Sequence, residues 1–128
     1  MGQESESGYV VGAPRCPGIA EVRSWLDWRV DDVNGSTVGE VDTIRRDRNG
    51  RPLWLVVAEF GVGSRRFAVP AADAVGDGDC GRVWSPYPRE RIRATHKIVA
   101  AGFTVEADRL LLGHYGDRAG AIGPERAA

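Results

Sequence analysis

The sequence predicts an all-β domain, one strongly curved sheet followed by a short C-terminal helix. Three observations carry this expectation. The stretch 28–70 alternates apolar and polar residues and is punctuated by Asn34-Gly35 and Asn49-Gly50. Asn-Gly is a strong hairpin signal because both residues tolerate positive φ. The most apolar run of the chain, Leu53 to Ala58, follows the second of these turns. Finally, Val38, Val41 and Ile44 recur every three positions around Gly39. A flat strand cannot place that spacing on one face, whereas a strand bulged at a glycine and strongly coiled can.

Residues 1–18 are acidic and then punctuated by Gly and Pro, and read as a flexible tail. Ile19, Val22, Trp25, Leu26 and Trp28 have the spacing of one to two helical turns lying on the sheet. Arg29–Val33 reads as the first strand and Thr37–Arg46 as the second. Pro52–Glu59 is the third, apolar on both faces and therefore covered on both. Residues 60–63 form a loop, Arg65–Pro70 a fourth strand closed by its proline, and Arg82–Ser85 a last short strand. Ala71–Val75 leads into the acidic glycine turn between them. Pro88–Arg93 suits a helical turn with proline at its first position, and 96–102 is an ambiguous connection. Thr104 is a good N-cap, with Glu106 and Asp108 in the first turn, where acids suit the helix dipole. Ala107, Leu111 and Tyr115 share one face, Gly116 stops the helix, and 117–128 reads as a disordered tail.

Composition narrows the function more than it defines it. The chain has 128 residues, a net charge of −1 and a pI near 6.1. No global field draws it to nucleic acid or anionic lipid. The N-terminus lacks the basic and apolar regions of a secretory signal, and no apolar run approaches the length of a membrane span. The expectation is a cytoplasmic protein without membrane attachment. Lys97 is the sole lysine, which reads as genome composition rather than a demand for guanidinium. Cys16 and Cys80 have no spacing that suggests a metal knuckle or a disulfide framework.

Candidate chemistry is sparse. Asp73, Asp77 and Asp79 in a glycine-rich turn lack both the order and the bidentate glutamate of a calcium loop, so the sequence predicts no metal and no cofactor. Cys80 with His96 or His114 would make a nucleophile and base only if the fold joined them and the thiol pKa were depressed. No nucleophile elbow, phosphate loop or paired carboxylate is visible, and no catalytic residue is assigned. Arg45, Arg46, Arg48 and Arg51 flank one hairpin turn, and Arg65 and Arg66 open a neighbouring strand. With Trp54 or Trp84 nearby, these arginines suit a protein interface or an RNA surface. A solvated, salt-bridged hairpin face is the plainer reading of the same residues. The candidate binding residues are therefore Arg45, Arg46, Arg65, Arg66, Trp54 and Trp84.

Between about Val22 and Gly116 the chain resembles the PRC-barrel domain. The resemblance lies in Val33-Asn-Gly-Ser-Thr-Val-Gly39 with Val41-Asp42, then Asp47-Arg-Asn-Gly-Arg-Pro-Leu-Trp54, then Arg65–Pro70. Leu112-Gly-His-Tyr-Gly116 is similar to the short helix that closes free-standing bacterial members, actinobacterial ones especially. The resemblance implies a small, strongly bent β-barrel of about six strands over 19–93, with 94–116 as connection and closing helix. Known relatives, a photosynthetic reaction-centre subunit and a ribosome maturation factor, use the barrel to dock onto other macromolecules. This chain lacks the membrane helix of the first and the extra N-terminal barrel of the second. The resulting expectation is a non-enzymatic binding or adaptor module that docks onto a protein partner or forms a homodimer. A ribosome- or RNA-associated assembly factor is the alternative. An enzyme using Cys80 or a histidine is a more distant one.

Overall fold

The two Asn-Gly sites turn the chain as expected, by a different geometry. In the computed structural model, which describes residues 17–61 and 65–116, the glycines of these two pairs, Gly35 and Gly50, adopt positive φ, at 83° and 85°, while Asn34 and Asn49 do not. Each turn is a three-residue loop closed by an aspartate. Asp32 N–H donates to Ser36 C=O at 2.8 Å, and Asp47 N–H donates to Arg51 C=O at 2.8 Å. Each carboxylate then accepts two backbone N–H groups of its own loop. Asp32 Oδ1 takes those of Asn34 and Ser36, and Asp47 Oδ1 those of Asn49 and Arg51. The signal is thus Asp-x-Asn-Gly, the aspartate ordering the loop and the glycine supplying the left-handed residue.

These turns join the first three of six strands. They are β1 (Arg29–Asp31), β2 (Thr37–Arg46), β3 (Pro52–Ala58), β4 (Arg66–Pro70), β5 (Val75–Asp77) and β6 (Arg82–Trp84). The order across the sheet is β4-β3-β2-β1-β6-β5. All neighbours are antiparallel except β1 and β6, which run parallel. The strand β5 replaces part of what the sequence suggested was a simple connection. Among the described residues four short helices accompany the sheet: α1 (Ile19–Arg23), α2 (Arg89–Arg93), α3 (His96–Ala100) and α4 (Val105–Tyr115). The ambiguous 96–102 segment is helical over its first five residues, His96–Ala100. Pro88 caps α2 rather than occupying its first turn. The tails 1–16 and 117–128, Cys16 and residues 62–64 lie outside the described residues.

The three-residue spacing of β2 has the expected cause. Register slips against β1 between Thr37 and Gly39, and against β3 between Val41 and Thr43. Each step of the Val38, Val41, Ile44 series therefore crosses an irregularity, and Val38 and Val41 are both buried. Gly39 permits the bend because a Cβ there would stand 2.1 Å from the Ala58 carbonyl oxygen. Gly76 has a related role, since its Cβ would meet the buried Trp25 indole at 2.2 Å. Trp25 packs closely against that strand and, with Val22, is buried in the core.

The strand-rich part of the expectation is realised, as one mixed six-stranded sheet whose pairing does not show the closure of a barrel. The strands that would have to meet are β4 and β5, and neither pairs with the other. Side chains take the free edge of β4 instead. Ala68 N–H donates to Thr95 Oγ1 at 2.9 Å, and Tyr115 Oη–H donates to Ala68 C=O. Thr95 in turn donates to Ile92 C=O at 2.7 Å. Helical residues thus satisfy an edge that a pairing strand would otherwise have filled. The third strand is covered on both faces, as its composition demanded: Trp54, Leu55, Val56 and Val57 are all buried. One core joins sheet and helices, with Ile92, Val99, Leu111 and Tyr115 packed among the strand residues.

Candidate docking site

The second Asp-x-Asn-Gly turn forms one wall of a surface groove of about 670 Å³. Pro52, Leu53 and Trp54 continue that wall into β3. Ile19 of α1, Pro70 at the end of β4 and Leu112 of α4 complete an apolar lining. Leu112 belongs to the exposed large apolar residues at 37%, so the groove keeps an accessible greasy side chain. Asp47 and Arg51 are its charged members, and the Asp47 carboxylate is already engaged by its own turn. Arg46, Arg48 and Arg51 are exposed on the same hairpin. None makes an ion pair with another described residue. The groove is therefore apolar within and basic at one rim.

The other arginines expected at a basic patch have partners. Arg45 grips Asp108 with two bonds, Nε to Oδ1 at 3.1 Å and Nη2 to Oδ2 at 2.7 Å. Asp108's hydrogen bonds push the Arg45 pKa up, against the opposing effect of burial. Arg66 pairs with Asp42 at 3.0 Å, and Arg65 with Glu59 at 3.5 Å. Arg93 shares Glu59 at 3.3 Å. For Arg45, Arg65 and Arg66 the plainer reading, a salt-bridged face, describes the geometry. Trp54 is fully buried, donating Nε1–H to Asp108 Oδ1 at 3.0 Å and stacking on Tyr115. It forms the floor of the groove rather than a surface ring beside the arginines. Trp84 is distant in the sheet order, half-buried, with the Arg82 guanidinium 5.6 Å from its ring centroid. Of the six candidate residues only Trp54 lines the groove, while Arg46 lines a smaller neighbouring concavity with Ile19, Arg23 and Ile44.

The groove's remaining residues had no sequence signal of their own. Leu112 and Ile19 appear as ordinary members of helical patterns. Their meeting with the β2–β3 turn depends on where α1 and α4 settle on the sheet.

The reactive side chains are dispersed. Cys80 is exposed in the β5–β6 turn. A hydrogen bond to Asp77, and that residue's charge, push its thiol pKa up, opposite to what a thiolate nucleophile needs. His114 donates from Nε2 to Arg91 C=O at 2.7 Å, while Arg91 caps the carbonyls of His114 and Tyr115 at 3.2 and 3.0 Å. These contacts latch α4 to α2. His96 packs edge-on against Phe67. Asp77 accepts Asp79 N–H within its own turn. Among the described residues no group of three or more His, Cys, Asp or Glu side chains is placed to hold a metal, and no helix is long and apolar enough to cross a membrane. The Tyr115 phenol is driven far above its usual pKa by burial, with Tyr87 adding to the effect, so it serves as a hydrogen-bond donor. Compared with known proteins, the chain matches no family model and no curated sequence.

Proposed function

We propose that this protein is a non-enzymatic binding module of the PRC-barrel type, which docks onto a protein partner or a second copy of itself. The groove between α1, the β2–β3 turn and α4 is the observation that carries the reading. It is large enough for several side chains and lined by Ile19, Leu53, Trp54 and Leu112, with Arg51 in its wall and exposed Arg48 on the same turn. An apolar concavity with a few polar groups at its edge is the usual form of a recognition site. Its chemistry suits a short apolar segment flanked by acidic residues. The groove's floor, Trp54, is fixed by Asp108 and Tyr115, which favours binding because little side-chain freedom remains to be lost. Residence in the cytoplasm accords with this role.

A ribosome- or RNA-associated role would draw on the three unpaired hairpin arginines. It is weakened by the engagement of Arg45, Arg65 and Arg66 and by the burial of Trp54, which leaves no stacking ring beside them. Co-purification from native cells separates the two readings. The tagged protein and its Leu112→Gln variant are compared with and without ribonuclease. Leu112 is partly exposed, so the change spares the core. The docking reading expects a protein partner that resists ribonuclease and is lost with Leu112→Gln. Retention of the partner by the variant would overturn it, and loss of all partners after digestion would favour RNA.

A further inference from the structure

The groove's two properties, an apolar bed and a rim of free arginines, are matched in the chain itself. Pro17, the first described residue, lines the groove. Ahead of it the sequence reads Glu4-Ser-Glu6-Ser-Gly-Tyr9-Val10-Val11. Two acids are followed within a few residues by an aromatic and two β-branched apolar side chains. Between Val11 and Pro17 the chain can span about 20 Å at roughly 3.3 Å per residue, sufficient for it to double back along a groove at its own base. Tethering at such short range supplies an effective concentration in the order of millimolar, so weak contacts suffice.

We infer that Tyr9, Val10 and Val11 dock in the groove of their own chain, with Glu4 and Glu6 meeting Arg48 and Arg51. The inference rests on the docking reading above and names the regulation of that same site. The resident segment competes with an external segment of the same chemistry, and a partner binds only by displacing it. Because the apolar contacts are shielded and the acidic ones exposed, added salt weakens the interaction without abolishing it.

Paramagnetic relaxation in the full-length protein tests this. Cys16 and Cys80 are replaced by serine, a nitroxide is attached at Ser5→Cys, and backbone amide peaks are compared before and after its reduction. Docking predicts loss of the Arg51, Leu53 and Leu112 peaks in the paramagnetic sample and their return on reduction. In the variant Tyr9→Ser/Val10→Ser/Val11→Ser the same peaks persist throughout. Loss confined to residues next to Pro17, or loss unchanged in the triple variant, overturns the inference. A mixed sample, isotope-labelled protein without nitroxide and unlabelled protein with it, identifies the occupant. Peak loss there assigns the groove to a second copy and overturns docking in cis. The two readings fail separately. Absent peak loss with Leu112-dependent partner retention removes self-docking alone, whereas Leu112-independent retention removes the docking site itself.

Discussion

Asp32 shows how one side chain can define a corner of the fold. It is 2% exposed, yet its carboxylate accepts N–H groups from Asn34, Ser36 and, 57 positions along the chain, Arg89. Burial alone would raise its pKa, but the bonds from Ser36, Arg89 and Asn34 prevail and hold it below the usual carboxylate value. The native state therefore favours the ionised form. That contribution is complete above the unfolded-state pKa, about 3.9, and is lost as pH falls through the lower native value. Asp32→Asn keeps one acceptor oxygen but turns an NH₂ group toward backbone donors. We expect it to destabilise the protein by about 2 kcal/mol at neutral pH, with the gap narrowing on acidification. Urea unfolding of both proteins from neutral pH to about pH 2 measures this, and a gap that does not change with pH would refute the assignment.

At the scale of elements, the notable relation is between the edge of β4 and the helices beyond it. Ala68 presents one N–H and one C=O away from β3, and Thr95 and Tyr115 meet them. Thr95→Val preserves shape and removes the acceptor. Tyr115→Phe removes the donor while keeping the rings beside Trp54 and Tyr87. Each substitution leaves a buried backbone group unpaired and should cost about 1–3 kcal/mol. Hydrogen exchange gives the local signature: the Ala68 amide loses more protection than its β4 neighbours in Thr95→Val. A uniform loss along the strand would indicate general destabilisation and remove the special role of this contact.

Across the whole molecule, Asp108 binds three parts of the structure together. Its carboxylate, on α4, accepts from Arg45 of β2 and Trp54 of β3. Arg45 also lies 5.5 Å from the Phe103 ring centroid, just before the helix. Side-chain exposures of 28% and 19% for Arg45 and Asp108 place the pair between the surface and buried extremes, and solvent screening lowers its worth. Asp108→Ala strands the Trp54 indole N–H and the Arg45 charge together, so we expect a loss of about 2 kcal/mol. Tryptophan emission should shift to the red as the groove floor loosens. An unchanged spectrum with unchanged stability would show that apolar packing of Leu111 and Tyr115 alone holds α4.

Much of the fold was legible in the residues because its signals are local. Strand limits from Thr37 to Pro70 follow from alternation and turn chemistry, and the α4 cap is realised, Thr104 Oγ1 accepting Ala107 N–H at 3.1 Å. The bulges of β2 were legible in the spacing of its valines. The turn type was missed because Asn-Gly drew attention from the aspartate two residues earlier, although Asp32-x-Asn-Gly and Asp47-x-Asn-Gly repeat the same pattern. The strand β5 was missed because Val75-Gly-Asp77 has too few apolar residues to announce itself; Gly76 makes sense only beneath Trp25.

What the sequence determined by itself was a strand-rich chain with a capped terminal helix and a two-sided apolar third strand, since turns, caps and periodicity act over a few residues. Tertiary structure alone decided that Arg45, Arg65 and Arg66 face Asp108, Glu59 and Asp42, that Trp54 is a floor rather than a surface ring, and that Thr95 and Tyr115 take the free edge of β4. Those outcomes depend on contacts between residues 6 to 63 positions apart, where charge and hydrogen-bond partners are chosen by the packing of whole elements and leave no periodic trace in the chain.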